Sequence, residues 1–206
     1  MDTLTPSPLT PVPAFDSLNL LEIVARPLIR TIELRDSLTG AHCRSVGELA
    51  GATAAELGLS ERERRIISLA GFLHDLGKIG IPDRVLHNTD ALQDREKSLV
   101  RLHAGSGEEI VAELGLVFPE AIEVARLIGA HHERMDGTGY PRGLVGAAIP
   151  RGARIISVAD TWSAITMRRS YDPPTSYEQA VEILNRVSGT YLDPEAVEAF
   201  LAVVAR

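Results

Sequence analysis

The sequence predicts an all-α protein, a compact helical bundle. Three observations carry this reading. Apolar residues recur at helical spacing along most of the 206-residue chain. Helix-start and helix-stop signals separate these stripes. No convincing run of strands and no internal repeat interrupts them.

Taken in order, residues 1 to about 16 carry Pro6, Pro8, Pro11 and Pro13 among Ser and Thr, and read as a flexible tail ahead of a domain over 17–206. Ser17 precedes Leu18, Leu21, Val24, Leu28 and Ile32, a helical stripe that Pro27 should bend or interrupt and Gly40 should punctuate. A second helix should run through His42, Val46, Leu49 and Ala50 towards a C-cap at Gly58. Ser60-Glu61-Arg62-Glu63 is a capping box. It opens a third helix with Ile66, Ile67, Leu69, Ala70 and Leu73 on its apolar side and His74-Asp75 at its end.

Residues 79–91, with Pro82, read as a loop. A helix from about Gln93 should carry Leu99, Val100 and His103, break at Gly105 to Gly107, and be followed by another reaching Leu114. Pro119 suits a first helical turn. The helix after it holds Ile122, Val124, Ala125, Leu127 and Ile128, and delivers His131 and His132. Residues 133–150 contain Gly137, Gly139, Gly143 and Gly146 with two prolines. So long a loop in a compact domain implies a task. Helix resumes near Arg151, with Ile155, Ile156, Val158, Ala159 and Trp162 around Asp160. Ser176-Tyr177-Glu178-Gln179 is a second capping box, and Asp193-Pro194 opens a last helix ending in Val203 and Val204.

The totals narrow the function. A formal net charge of -7 excludes a sequence-wide basic field for nucleic acid or anionic lipid. An anionic substrate therefore needs local positive charge from metal ions or a few basic side chains. Cys43 is the sole cysteine, which excludes an internal disulfide, and it reads as a packed thiol. No apolar run approaches the ~20 residues of a membrane span, and the N-terminus lacks a secretory pattern, so a cytoplasmic location is expected.

The stretch Gly71-Phe72-Leu73-His74-Asp75-Leu76-Gly77-Lys78 organises the chemistry. An imidazole beside a carboxylate is a good ligand pair for a divalent metal. A lysine three residues further on can meet a phosphate oxygen as a point charge. The remaining candidate donors are His42, His103, His131, His132 and Asp160, so five of the six histidines belong to the set. Asp160 stands within an apolar run, where a carboxylate is expensive unless paired or bound to a cation. Seven nitrogen and oxygen donors are too many for one tetrahedral zinc. They suit two six-coordinate metals that share Asp75. Such a pair, ~3.5–4 Å apart, lowers the pKa of a nucleophilic water and clamps a phosphate, which points to phosphoester hydrolysis. Lys78, Arg134, Arg142 and Arg169 could neutralise the remaining phosphate charge.

His74-Asp75-Leu76-Gly77-Lys78, followed by His131-His132-Glu133-Arg134-Met135-Asp136-Gly137-Thr138-Gly139-Tyr140-Pro141, resembles the HD-GYP subgroup of the HD phosphohydrolase superfamily. The similarity extends over about residues 30–200. It takes in Arg35-Asp36, Thr39, His42, residues 79–83, His103, Val158-Ala159-Asp160, Arg169, Tyr171 and Asp193-Pro194. The resemblance implies an HD-type helical bundle that hydrolyses cyclic di-GMP to pGpG or GMP. It implies two divalent metal ions, iron or manganese, with zinc, nickel or magnesium as substitutes. Their ligands fall on His42, His74, Asp75, His103, His131, His132 and Asp160. Asp75 and Lys78 are the implied catalytic pair, and Lys78, Arg134, Gly137, Gly139, Tyr140 and Arg169 the implied substrate contacts. Diguanylate cyclase domains at the GYP loop and a second copy of the chain are further implied partners, with no nucleic acid polymer and no membrane.

The chain also departs from the family pattern. Leu38 stands where three-metal members have a glutamate, which favours two metals. Asn88-Thr89-Asp90 replaces a Lys-Pro-Gly, Ser163 replaces an aspartate, and Arg169-Ser170-Tyr171-Asp172 replaces Arg-Pro-Tyr with a basic residue. These changes are expected to spare the metal centre and to remove contacts to guanine or phosphate. They motivate two alternatives: a phosphohydrolase for another cyclic dinucleotide, and a non-catalytic interaction module. No sensor domain fits the N-terminal tail, so regulatory input is expected from elsewhere or not at all.

Overall fold

Asp16 starts the first helix by accepting the backbone N–H groups of Leu18 and Asn19, and α1 runs Ser17–Arg35. The computed structural model describes residues 16–86, 88, 93–167 and 175–206, so the proline-rich stretch ahead of Asp16 lies outside it. Pro27 sits inside α1 without ending it. Leu18, Leu21, Ala25 and Ile32 are buried on both sides of the proline. Their shared apolar face holds the helix together against a local cost of ~3 kcal/mol. The break expected at Gly40 comes earlier. Asp36 closes α1 through its N–H to the Ile32 carbonyl and opens α2, Ser37–Glu56, by accepting from Leu38. Gly40 is buried within α2.

The capping box at Ser60 and Glu63 starts α3, Glu61–Leu73, whose Ile66, Ile67, Leu69, Ala70 and Leu73 are buried as the pattern predicts. The expected loop after it is largely structured: a 3-10 turn, Leu76–Gly80, precedes a short α4, Asp83–Leu86. The next helix, α5, runs unbroken over Asp94–Ala112 through both glycines expected to break it. Gly107 serves packing instead, whereas Gly105 faces open space. A Cβ on Gly77 would lie 2.0 Å from the His103 carbonyl oxygen and 2.6 Å from the Gly107 nitrogen, so the 3-10 turn and α5 touch backbone to backbone. A 3-10 turn, Glu113–Leu116, then leads to α6, Glu120–Ala130.

Residues 131–150 form the long glycine-rich segment, pinned by an isolated bridge between Asp136 and Val145 and a short 3-10 turn, Gly146–Ala148. Three helices complete the described chain: α7, Arg151–Thr166; α8, Tyr177–Val187; and α9, Pro194–Val204. Ser176 and Gln179 cap α8 reciprocally, and Asp193 caps α9 ahead of its first-turn proline, both as expected. The described residues thus hold nine α-helices and no strand. Helix α2 packs against α1, α3, α7 and α9, and Val46, Ile66, Leu73, Ile128, Ile155, Ile156 and Phe200 are almost fully buried around it. Cys43 is packed in this core. No helix among the described residues is long and apolar enough to cross a membrane.

Candidate metal centre

Five helices deliver the donors. His42 lies on α2, His103 on α5 and Asp160 on α7. His74 is the C-cap of α3 and Asp75 follows it; His131 is the C-cap of α6 and His132 follows it. Helix ends and the glycine contact at Gly77 let these side chains meet in the interior, where His74, Asp75, His103 and His131 are buried.

All seven sequence candidates fall into three overlapping groups whose ligand atoms lie within 4.8 Å of one another: His42, His74 and Asp75; His74, His131 and Asp160; and His103, His131 and His132. Asp75 faces two ways. Its Oδ2 lies 3.4 Å from His74 Nε2 and 3.9 Å from His42 Nε2, and its Oδ1 lies 3.4 Å from His103 Nε2. Asp160 Oδ1 is 3.0 Å from His42 Nε2 and 3.8 Å from His74 Nε2. His103 Nε2 is 3.2 Å from His132 Nε2 and 3.4 Å from His131 Nε2.

The tautomers follow from the backbone. His74, His103 and His131 each set Nδ1 against the carbonyl three residues back, at 2.8, 2.5 and 2.6 Å on Gly71, Val100 and Ile128. A carbonyl only accepts, so Nδ1 carries the proton and Nε2 presents a bare lone pair to the centre. Bare lone pairs 3.2–3.4 Å apart repel unless a cation or proton lies between them. His74 Nε2 is buried with no hydrogen-bond partner, a state that costs about 1–3 kcal/mol if left so. Convergent imidazoles and carboxylates, with one orphaned nitrogen, fit a divalent metal.

The electrostatics agree. Burial pushes His131 well below the ordinary histidine range, His132 down to about 4, and His103 down as well. These rings therefore stay neutral, the form that binds metal. Burial alone would raise the Asp75 and Asp160 carboxyls. At Asp75 the Lys78 charge, with the surrounding imidazoles, outweighs it, and at Asp160 the contact with His42 and the neighbouring imidazoles does the same, so both stay well below the usual carboxylate range. Lys78 Nζ lies 2.6 Å from Asp75 Oδ2. Burial works against its charge, but the carboxylate wins and raises its pKa.

The remaining predicted residues surround the donors in different ways. The Tyr140 ring lies 4.7 Å from that of His132, with the Arg101 guanidinium 5.2 Å over the tyrosine. Gly139 packs its backbone on residues 132–134, where a Cβ would come within 2.4 Å of the Arg134 nitrogen. Gly137, at φ +81°, makes a turn beside Val145. The Arg134 guanidinium stacks 4.1 Å over Tyr191. Arg142 pairs with Glu108 and is thereby engaged away from the donors. Leu38 is 55% exposed and offers no donor. Arg35 grips the Ile79 and Ile81 carbonyls and lies 3.0 Å from Asp83. Arg168, Arg169, Tyr171 and Asp172 lie outside the described residues, as do Thr89 and Asp90.

Ser163 is packed behind His42. It is 1% exposed, its Oγ lies 2.8 Å from His42 Nδ1, and it donates to Met167 Sδ at 3.2 Å. Two roles were missed in the sequence. Buried Glu133 accepts the backbone N–H groups of Arg142 and Leu144 at 2.7 and 2.9 Å, clasping the glycine-rich loop. Arg101 covers Tyr140. A carboxylate inside a motif and one arginine on a helix face carry no sequence signal for either role.

Comparison with known proteins places this geometry. The HD domain family model matches residues 26–196. The cyclic di-GMP phosphodiesterase response regulator RpfG of Xanthomonas campestris pv. campestris is 43% identical over 175 residues, 84% of this chain and 46% of that protein. The 3'3'-cGAMP-specific phosphodiesterase 2 of Vibrio cholerae is 38% identical, over 84% of this chain and 33% of its own length. The chain thus spans less than half of either relative. The HDG"Y"P protein Bd1817 from Bdellovibrio bacteriovorus superposes with a TM-score of 0.67 at 17% identity, over 92% of this chain and 65% of that one, and shares the fold. The chain belongs to the HD domain family, and it is related to phosphodiesterases of cyclic di-GMP and of 3'3'-cGAMP.

Proposed function

We propose that the chain is a metal-dependent phosphodiesterase that hydrolyses cyclic di-GMP to pGpG, GMP or both. The observation that carries the reading is Asp75, whose two oxygens face donors on opposite sides, His42 and His74 on one and His103 on the other. In this reading His42, His74 and Asp160 would hold one ion and His103, His131 and His132 a second, with Asp75 within reach of both groups. Iron or manganese suits this mixture of imidazole and carboxylate. When bound, the ions lower the pKa of an attacking water and stabilise the attacking and leaving oxygens at phosphorus. The chain's own residues orient and neutralise. Lys78 holds Asp75 in place and keeps its charge beside the centre, where a phosphate oxygen can share it. Tyr140, seated on His132 by Gly139, walls one side, and Arg134 and Arg169 supply further positive charge to the substrate.

The test is turnover by protein loaded anaerobically with iron or with manganese, with separation of pGpG and GMP. Cleavage of cyclic di-GMP that disappears in Asp75→Ala supports the reading. Metal-loaded protein that leaves it intact would sink it. The similarity to a 3'3'-cGAMP phosphodiesterase favours one second reading, hydrolysis of that mixed dinucleotide. A side-by-side comparison of kcat/KM decides between them.

A further inference from the structure

A cavity opens beside the donors, and most of its lining has no part in the proposed chemistry at phosphorus. It holds about 190 Å³ between α7, α8 and the turn that follows α8, and it shares His132 and Asp160 with the metal centre. Ile183 and Val187 give it apolar walls, and Arg134 and Tyr191 are among its other lining residues. Its volume is below the ~300–1,000 Å³ of a pocket that takes a whole drug-sized ligand. It suits one flat fragment of a larger molecule.

Its lining points to the kind of fragment. The Arg134 guanidinium lies 4.1 Å over the Tyr191 ring, and Arg134 makes no ion pair among the described residues. Tyr191 is 41% exposed, while its carbonyl accepts the Met135 N–H at 3.2 Å, so the backbone under the ring is fixed by the same loop that carries Arg134. A planar cation stacked on a phenol offers a flat, electron-poor face to a nucleobase. Base stacking of this kind tolerates any base, because every base has a π-face.

We propose that this cavity is a nucleobase subsite in which Tyr191 and Arg134 stack one purine of a cyclic dinucleotide while its phosphodiester lies at the donors. The subsite deepens the phosphodiesterase reading and rests on it for the placement of the phosphate. Tyr191 acts through its ring, not its hydroxyl, and discriminates weakly between guanine and adenine.

The experiment measures calorimetric dissociation constants of GMP, AMP and inorganic phosphate on manganese-loaded protein. Wild type should bind GMP and AMP within a few fold of each other, and both more tightly than phosphate. Tyr191→Ala should weaken GMP and AMP about tenfold, the equivalent of ~1.4 kcal/mol, and leave phosphate affinity and metal content unchanged. Tyr191→Phe should bind all three as wild type does, which separates lost stacking from a damaged fold. The proposal is overturned if GMP fails to bind, if nucleotide and phosphate affinities fall together in Tyr191→Ala, or if GMP affinity does not move. A protein that shows the expected binding pattern but leaves cyclic di-GMP uncleaved would end the phosphodiesterase reading and keep the subsite.

Discussion

Ser163 Oγ lies 2.8 Å from His42 Nδ1, so a serine on α7 sets which ring nitrogen of a histidine on α2 faces the centre. The hydroxyl donates to Met167 Sδ, which leaves its oxygen to accept the Nδ1 proton and frees Nε2 for the metal. Ser163→Ala removes that acceptor. Metal affinity should fall about 10- to 100-fold, and Ser163→Asp, a stronger acceptor, should restore it. Equilibrium dialysis with manganese measures both. Unchanged affinity in Ser163→Ala would show that the serine only fills space.

Gly77→Ala should damage the fold and the centre together. The new Cβ would meet the His103 carbonyl oxygen at 2.0 Å and the Gly107 nitrogen at 2.6 Å, both backbone atoms that cannot rotate away. A loss of at least ~1–3 kcal/mol is expected, with weaker metal binding because His103 shifts. Gly80→Ala is the control. It lies in the same 3-10 turn with nothing within 4 Å of its new Cβ, and should be close to neutral. Urea denaturation of the two variants tests the contrast.

Glu133→Ala should loosen the loop that carries Tyr140. Two N–H groups, on Arg142 and Leu144, lose their acceptor. Each costs about 1–3 kcal/mol if it finds no other partner. Amide exchange at Arg142 and Leu144 should quicken, and Glu133→Gln, which keeps one acceptor oxygen, should fall between. Exchange that stays as slow as in wild type would mean that the clasp is redundant.

Chelation should destabilise the chain and reloading should reverse it. An ion held by the folded donors at 100 times its dissociation constant adds about 2.7 kcal/mol. For a domain of this size that is a rise in Tm of roughly 5–10 °C. Differential scanning calorimetry with and without manganese reads it directly. A Tm that ignores manganese would argue that the donors do not hold it.

The capped helix starts were legible before any coordinates, because Ser60, Ser176 and Asp193 each act through bonds to residues two or three positions on. The residues that converge were legible too: Asp160 inside an apolar run is costly unless it meets a partner, and the structure gathers it with His42, His74 and His131. What the sequence hid is long-range. Gly107 read as a breaker because nothing local reveals that Gly77 presses on it. Pro27 read as an interruption because its local cost is visible and the packing that offsets it is not. The contact of Ser163 with His42 was hidden because the two are 121 residues apart along the chain.

The seven donors come from α2, the end of α3, α5, the end of α6, and α7. No single helical hairpin contains them all, so competence cannot be inherited piecemeal. A chain nicked between any two of these helices keeps the seven donors together only while the pieces remain associated, so ion uptake would double as an audit of whether α2 to α7 have assembled.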